Sequence, residues 1–273
     1  MSGRLDGWAV LVTGGGTGIG RACAARLAAD GAAVTISGRT GATLESAAAS
    51  ITTGPPVRWI VADVTVEDDV AAAVEHAATG AGVLRGVVAN AGGGGGIAPY
   101  HLQDLAEFRR VLELNVIGTM LTLKHSVTRL VAAGGGSFVA MSSIAGSVTH
   151  PVFGAYPVGK AAIEHMMRNA ADDYGAAGVR CNAVAPGFTE TELMAGIPRD
   201  SAVFDSYLRN TPLGGVADPI DIAEAVRFLI GPESRFVTGI VLAVDGGHHL
   251  RSGPDFRPFT GLSADQLLGR PAT

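Results

Sequence analysis

Short apolar runs alternate with longer alanine-rich stretches of helical period over residues 1–247, and this alternation constrains the chain more than any other feature. Strands separated by helices build βαβ units, and βαβ units build a parallel sheet. Strands are expected at 8–13, 33–37, 57–61, 84–89, 137–142, 179–185 and 240–244, and helices at 19–29, 41–50, 66–79, 102–132, 155–176 and 220–229. The fold class is therefore α/β: a single-domain, Rossmann-type doubly wound sheet of about seven parallel strands with helices on both faces. Loops are short except 187–215, and a long loop in so compact a domain is usually a functional lid. Residues 248–273 form a polar C-terminal extension without clear periodicity before 262–268.

At 47% hydrophobic and 16% charged, the chain can bury a large core. A net charge of −5 provides no electrostatic footprint for nucleic acid or an anionic membrane. Residues 130–159 lack charged side chains but include six glycines, four serines and two prolines, unlike a lipid-facing helix. The N-terminal stretch holds only a short apolar run, with no secretory segment. Cys23 and Cys181 lie far apart, outside any CxxC or Cys/His cluster, and read as buried free thiols of a cytoplasmic protein. No residues have metal-ligand spacing; His248-His249 is too little for zinc.

The 39 glycines are about double the usual ~7% share, and their placement is informative. The first strand runs into Gly14, Gly15, Gly16, Thr17, Gly18, Ile19 and Gly20 and then an alanine-rich helix. Glycines here permit a tight turn, close backbone approach to a pyrophosphate, and close helix–strand packing, with the helix N-terminus toward the anion. A plain glycine-rich turn is the alternative. In dinucleotide folds an acid near the end of the second strand accepts hydrogen bonds from the adenosine ribose, whereas arginine suits a 2′-phosphate. Ser37-Gly38-Arg39-Thr40 stands there without an acid, so NADP(H) is expected over NAD(H), against the alternative of a solvated loop arginine at Arg39.

Tyr156 and Lys160 are four residues apart on an expected helix, hence on one face. A carbonyl receiving hydride must also receive a proton, and a lysine cation near a phenol lowers its pKa toward that task. Ser143 precedes Tyr156 at the end of the fifth strand, where ligands bind in open α/β sheets. With Asn115 these residues form an Asn-Ser-Tyr-Lys tetrad, and with the TGxxxGxG loop, Asn90-Ala91-Gly92 and Pro186-Gly187 the chain resembles the short-chain dehydrogenase/reductase family over about residues 6–247.

The resemblance implies that Tyr156 is general acid in reduction and base in oxidation, and that Ser143 bonds the substrate oxygen. Lys160 would hold the nicotinamide ribose and tune Tyr156, and Asn115 would hold a water linking Lys160 to solvent. Asp63 and Val64 would flank the adenine, and Thr189 and Thr191 the nicotinamide amide. Taken singly, these residues read as caps, Asx turns and surface charges. The resemblance also implies a homotetramer, with helices 102–132 and 155–176 at one interface. The four-residue Tyr156–Lys160 spacing argues against the enoyl-reductase variant of the fold.

Substrate identity falls to the segment after Ser143 and to the lid. His150, Phe153 and Met194 are candidate contacts, and Ile197, Phe204, Tyr207 and Leu208 of the lid supply further apolar surface, although His150 before Pro151 reads first as a solvated loop histidine. A fairly apolar carbonyl or secondary alcohol is expected. The tail is expected to pack on a neighbouring subunit, or to fray. The run Gly93–Gly96 extends the glycine motif into a side-chain-free rim, either mobile or roomy. A non-catalytic nucleotide-binding scaffold, a redox sensor, and the same enzyme using NAD are the competing functional readings.

Overall fold

A computed structural model describes residues 4–270. Seven strands, β1 (Trp8–Thr13), β2 (Ala33–Gly38), β3 (Arg58–Val61), β4 (Val83–Ala89), β5 (Gly136–Met141), β6 (Val179–Pro186) and β7 (Val241–Val244), form one sheet in the order β3-β2-β1-β4-β5-β6-β7. Every pairing is parallel. The central strands are buried almost continuously, as in β1 and β5, because helices cover both faces of a parallel sheet and leave no solvated side to alternate with.

Helices α1 (Gly18–Ala29), α2 (Gly41–Ser50), α3 (Glu67–Ala78), α4 (Leu105–Leu112), α5 (Gly118–Ala132), α6 (Ala155–Gly175), α7 (Ala202–Asn210), α8 (Pro219–Ile230) and α9 (Ala264–Leu267) complete the chain. One apolar cluster packs Leu27 of α1 and Val226, Leu229 and Ile230 of α8 against Val12 and Ile36. A second, on the opposite face, packs Val74, Leu130, Ile163 and Met167 around Phe138. A third, smaller cluster sits under the lid. Starts and stops follow local chemistry. Asp218 and Asp221 form a capping box at α8, with Pro219 in the first turn, where the missing N–H would be unpaired anyway. Pro157 is likewise accommodated in the first turn of α6.

The helix expected at 102–132 starts later and carries a π-turn within it. Residues 100–102 form a separate 3₁₀ turn, α4 begins after Asp104, whose side chain accepts from the Glu107 N–H at 2.7 Å, and residues Glu113–Ile117 make a π-turn between α4 and α5. Asn115 sits in this turn and donates through Nδ2 to the Val111 carbonyl at 2.8 Å. A side chain inserted into the i→i−4 ladder displaces the backbone bond and widens the turn. The lid, expected as a loop, contains a 3₁₀ turn at Glu192–Gly196 and α7, capped by Ser201.

The strand order also locates the ligand crevice. The chain winds outward from β1 through β2 to β3 and then returns to β4 beside β1. Connections after β1 and β4 leave in opposite directions, so a crevice opens at their carboxyl ends. No helix among the described residues is long and apolar enough to cross a membrane.

Candidate active site

A cleft of about 860 Å³ opens at that switch point, lined by the glycine loop, the ends of β2–β6 and the lid. Its β1 wall is backbone. Gly14 has φ +64°, and a Cβ on Gly20 would lie 2.2 Å from the Gly14 carbonyl oxygen, closer than any side chain tolerates. Asn90 fastens the loop by donating through Nδ2 to the Thr13 and Gly14 carbonyls, each at 3.1 Å. Thr17 caps α1 with an extended backbone and no side-chain hydrogen bond, and the first turn has no acid. The helix thus presents uncapped N–H groups and the positive end of its dipole to the cleft, which suits the pyrophosphate of a dinucleotide.

Gly14, Gly16, Thr17, Gly18, Ile19, Gly20, Arg39, Asp63, Val64, Asn90, Ala91 and Gly92 all line the cleft. Ser37 does not; it is buried in β2, with its carbonyl accepting from Gly15 N–H at 3.1 Å. Gly38 and Thr40 face the cleft beside Arg39 in its place, with Thr43 beyond. Asp63 accepts from the Thr65 N–H (2.9 Å) and hydroxyl (2.8 Å). These bonds, the backbone one first, overcome burial and, with the nearby Arg39 charge, hold its carboxyl below the usual range.

At the other end, Ser143, Tyr156, Lys160, Pro186, Gly187, Thr189 and Thr191 line the same cleft. The Lys160 ammonium is buried, lies 5.4 Å from the Tyr156 ring centre, and donates to the Met141 carbonyl at 2.8 Å. Burial pushes its pKa down to about 8. The Tyr156 pKa is raised, because burial disfavours the phenolate; the Ser143 hydroxyl, hydrogen-bonded to the phenol, opposes that rise. The expectation is a phenol pKa lowered by the Lys160 cation; burial sets the opposite direction here.

Asn115 is fully buried behind the cleft wall. Its Nδ2 also donates to the Gly93 carbonyl at 2.9 Å, and its Oδ1 accepts from the Gly93 N–H at 3.3 Å. A Cβ on Gly92 would lie 2.7 Å from Asn115 Oδ1 and 3.3 Å from Lys160 Nζ, so only glycine lets this wall pass between them. The following glycines are pinned as well. The Gly94 carbonyl accepts from Arg110 at 3.1 Å, and a Cβ on Gly95 would meet Val111 at 2.4 Å. Of the run, Gly95 is the one packed tightly on α4, while a Cβ on Gly94 would meet nothing within 4 Å.

His150, Phe153 and Met194 line the substrate end. The expectation of a solvated His150 is corrected: the ring is 8% exposed and stacks on Phe153. Its Nδ1 lies 2.7 Å from the Val148 carbonyl, and burial pushes its pKa down to about 4. The intervening Val152 has φ +61°, a costly conformation for a β-branched residue. It is held by the Ala98 N–H donating to its carbonyl at 2.8 Å and by packing under the lid.

Ile197 and Tyr207, expected as apolar lid surface, also wall this end, together with Phe188 and Phe256, which sequence reasoning missed. Phe188, Ile197 and Tyr207 belong to the segment expected to act as a lid. For Phe256 no local signal exists, and it is buried within its own chain.

Comparison with known proteins agrees with this architecture. A family described as "Enoyl-(Acyl carrier protein) reductase" matches residues 14–249. The cis-4-hydroxycyclohexanecarboxylate dehydrogenase of Sinomonas cyclohexanicum is 42% identical over 87% of this chain and 95% of its own. A short-chain type dehydrogenase/reductase from Mycobacterium ulcerans superposes with TM-score 0.94 at 42% identity, over 98% of this chain and 99% of that one. A 7α-hydroxysteroid dehydrogenase complexed with NADH and 7-oxo glycochenodeoxycholic acid superposes with TM-score 0.84 at 32% identity, over 89% and 95%. On fold, cleft and relatives together, the chain is an oxidoreductase that belongs to the short-chain dehydrogenase/reductase family.

Proposed function

We propose that the protein is an NADP(H)-dependent oxidoreductase that interconverts an apolar ketone and its secondary alcohol, with Tyr156 as general acid/base. The observation that carries the reading is the joint burial of Tyr156 and Lys160 beside Ser143 at the mouth of a cleft whose other end is a glycine-walled helix N-terminus. When bound, the nicotinamide supplies or accepts the hydride. Ser143 and Tyr156 hold the substrate oxygen, and Tyr156 gives it a proton in reduction or removes one in oxidation. Lys160, anchored to the Met141 carbonyl, orients the ribose side of the cleft, and Asn115 keeps Gly92 and Gly93 clear of it. Retention of Asn115, Ser143, Tyr156 and Lys160 in one site speaks against a non-catalytic scaffold or sensor.

Arg39 favours NADP(H), since an exposed guanidinium stands at the end of β2 with no acid at the ribose position. The four-residue spacing of Tyr156 and Lys160 favours chemistry at CH–OH over reduction of an enoyl double bond. We further read the enzyme as a cytoplasmic homotetramer. Met120, Val131 and Val158 leave apolar surface exposed on α5 and α6, and both cysteines are buried free thiols; light scattering checks the assembly.

Tyr156→Phe is expected to bind NADPH normally and lose turnover by about a hundredfold or more. Full turnover on an identified ketone refutes the mechanism. Arg39→Ala is expected to weaken NADPH about tenfold or more while leaving NADH unchanged; wild-type protein that binds NADH as tightly as NADPH overturns the role given to Arg39.

A further inference from the structure

The C-terminal extension returns to the catalytic cleft of its own chain. Ser252 O lies 3.2 Å from His248 Nε2, Arg251 donates to the Arg209 carbonyl at 2.6 Å, and the Asp255 N–H donates to Ser206 Oγ at 3.3 Å. The last two bonds tie the tail to α7 and its end. Gly253 passes so close to the 149–150 backbone that a Cβ there would lie 2.0 Å from the Thr149 carbonyl oxygen. Phe256 follows, 2% exposed. Its ring stacks on Phe153 with centres 4.5 Å apart and planes at 22°, and meets Tyr207 edge-on at 6.2 Å. Phe153 in turn stands edge-on to Tyr156, with centres 5.4 Å apart. Phe256 also faces the cleft, so it both forms the wall and holds the ring that borders the proton donor.

Charge narrows what such a wall accepts. Arg39 and Lys160 are the only cations lining the cleft among the described residues. Arg39 stands at the end of β2, remote from the substrate end, and Lys160 is spent on the Met141 carbonyl. Around Phe256 the lining is aromatic and aliphatic apart from His150. A carbonyl oxygen can only accept, so His150 Nδ1 carries the proton toward Val148 and the neutral ring leaves Nε2 as an acceptor. An anionic substrate would be desolvated there without a cation to pair with, which is costly even beside the neutral hydroxyls of Tyr156 and Tyr207. The related dehydrogenase from Sinomonas cyclohexanicum is named for a carboxylate substrate.

Building on the oxidoreductase reading above, we infer that Phe256, delivered in cis by the tail, is a specificity-determining residue of a pocket that takes uncharged apolar ketones and secondary alcohols and rejects anionic ones. The test uses the full-length protein with NADPH and three probes: cyclohexanone, 4-oxocyclohexanecarboxylate and acetone. Wild type is expected to favour cyclohexanone over the carboxylate by at least about tenfold in kcat/KM. Phe256→Ala should lose about tenfold on cyclohexanone, mainly through KM, and clearly less on acetone, which covers less of the wall. Phe256→Leu should recover part of the loss. An NADPH affinity within about twofold of wild type shows that the nucleotide end has kept its fold, and where the alanine variant fails that control the leucine variant carries the comparison.

Unchanged cyclohexanone kinetics, equal losses on cyclohexanone and acetone, or a preference for the carboxylate overturns the inference and leaves the oxidoreductase reading standing. A wild type that binds NADPH and reduces none of the three ketones overturns the inference together with the substrate reading on which it rests.

Discussion

Lys160 should be a source of instability as well as of function. The residue is 4% exposed, and its pKa falls from 10.5 to about 8 because burial disfavours the charge. At about 1.4 kcal/mol per unit, charged Lys160 costs the fold ~3 kcal/mol. The folded pKa lies below the unfolded one, so between about pH 8 and 10.5 the unfolded chain binds more protons and stability rises with pH. The penalty is complete below the folded pKa and disappears above the unfolded one.

Lys160→Met keeps most of the stem volume and removes the charge. It also removes the 2.8 Å bond to the Met141 carbonyl, and an unsatisfied buried acceptor costs about 1–3 kcal/mol. At neutral pH the two effects nearly offset, and the variant should be as stable as wild type or slightly more so while losing turnover. The discriminating quantity is the pH dependence. Urea unfolding of both proteins without cofactor should show the variant's relative stability falling by ~2–3 kcal/mol from about pH 7 to about pH 10. A difference that stays constant over that interval refutes the assignment of a desolvation cost to Lys160.

Two further outcomes follow from the packing. Gly20→Ala places a methyl 2.2 Å from the Gly14 carbonyl oxygen and 2.5 Å from Asn90 Nδ2. The loop must shift, so NADPH affinity measured by titration should fall by about tenfold or more, with about 1–3 kcal/mol lost from stability. Cys23 and Cys181 are buried, and burial pushes each thiol up to about 12. A thiol reagent near neutral pH should therefore modify neither in the native protein and both on unfolding; rapid native labelling contradicts this burial.

Much of the nucleotide end was legible because its signals are local. The apolar runs of β1 through β7 are bounded by glycines and polar residues, and their expected ends lie within a residue or so of the observed ones. The loop around Gly14–Gly20 lies between a strand and a helix, so its neighbours in sequence are its neighbours in space. The failures share the opposite property. The π-turn between α4 and α5 arises because Asn115 bonds Val111 on one side and Gly93 on the other, and helical periodicity over 102–132 carries no trace of the second partner. His150 looked solvated beside Pro151 but is covered by Phe153 and by the tail near Gly253. α7 has an ordinary cap and a buried face, yet the expectation for its segment is a long loop.

The sequence by itself determined the class of the fold and the inventory of the chemistry: alternating elements that require a parallel sheet, glycines where a backbone must approach an anion, and a phenol and an amine one helical turn apart. These follow from periodicity and steric exclusion, which act between residues close along the chain. Only the tertiary structure decided the strand order that opens the crevice between β1 and β4, the raised pKa of Tyr156 and lowered pKa of Lys160, and the placement of Phe256 in its own chain's cleft. Burial and desolvation sum over atoms contributed by residues remote in sequence, and they exist only once the chain has closed around them.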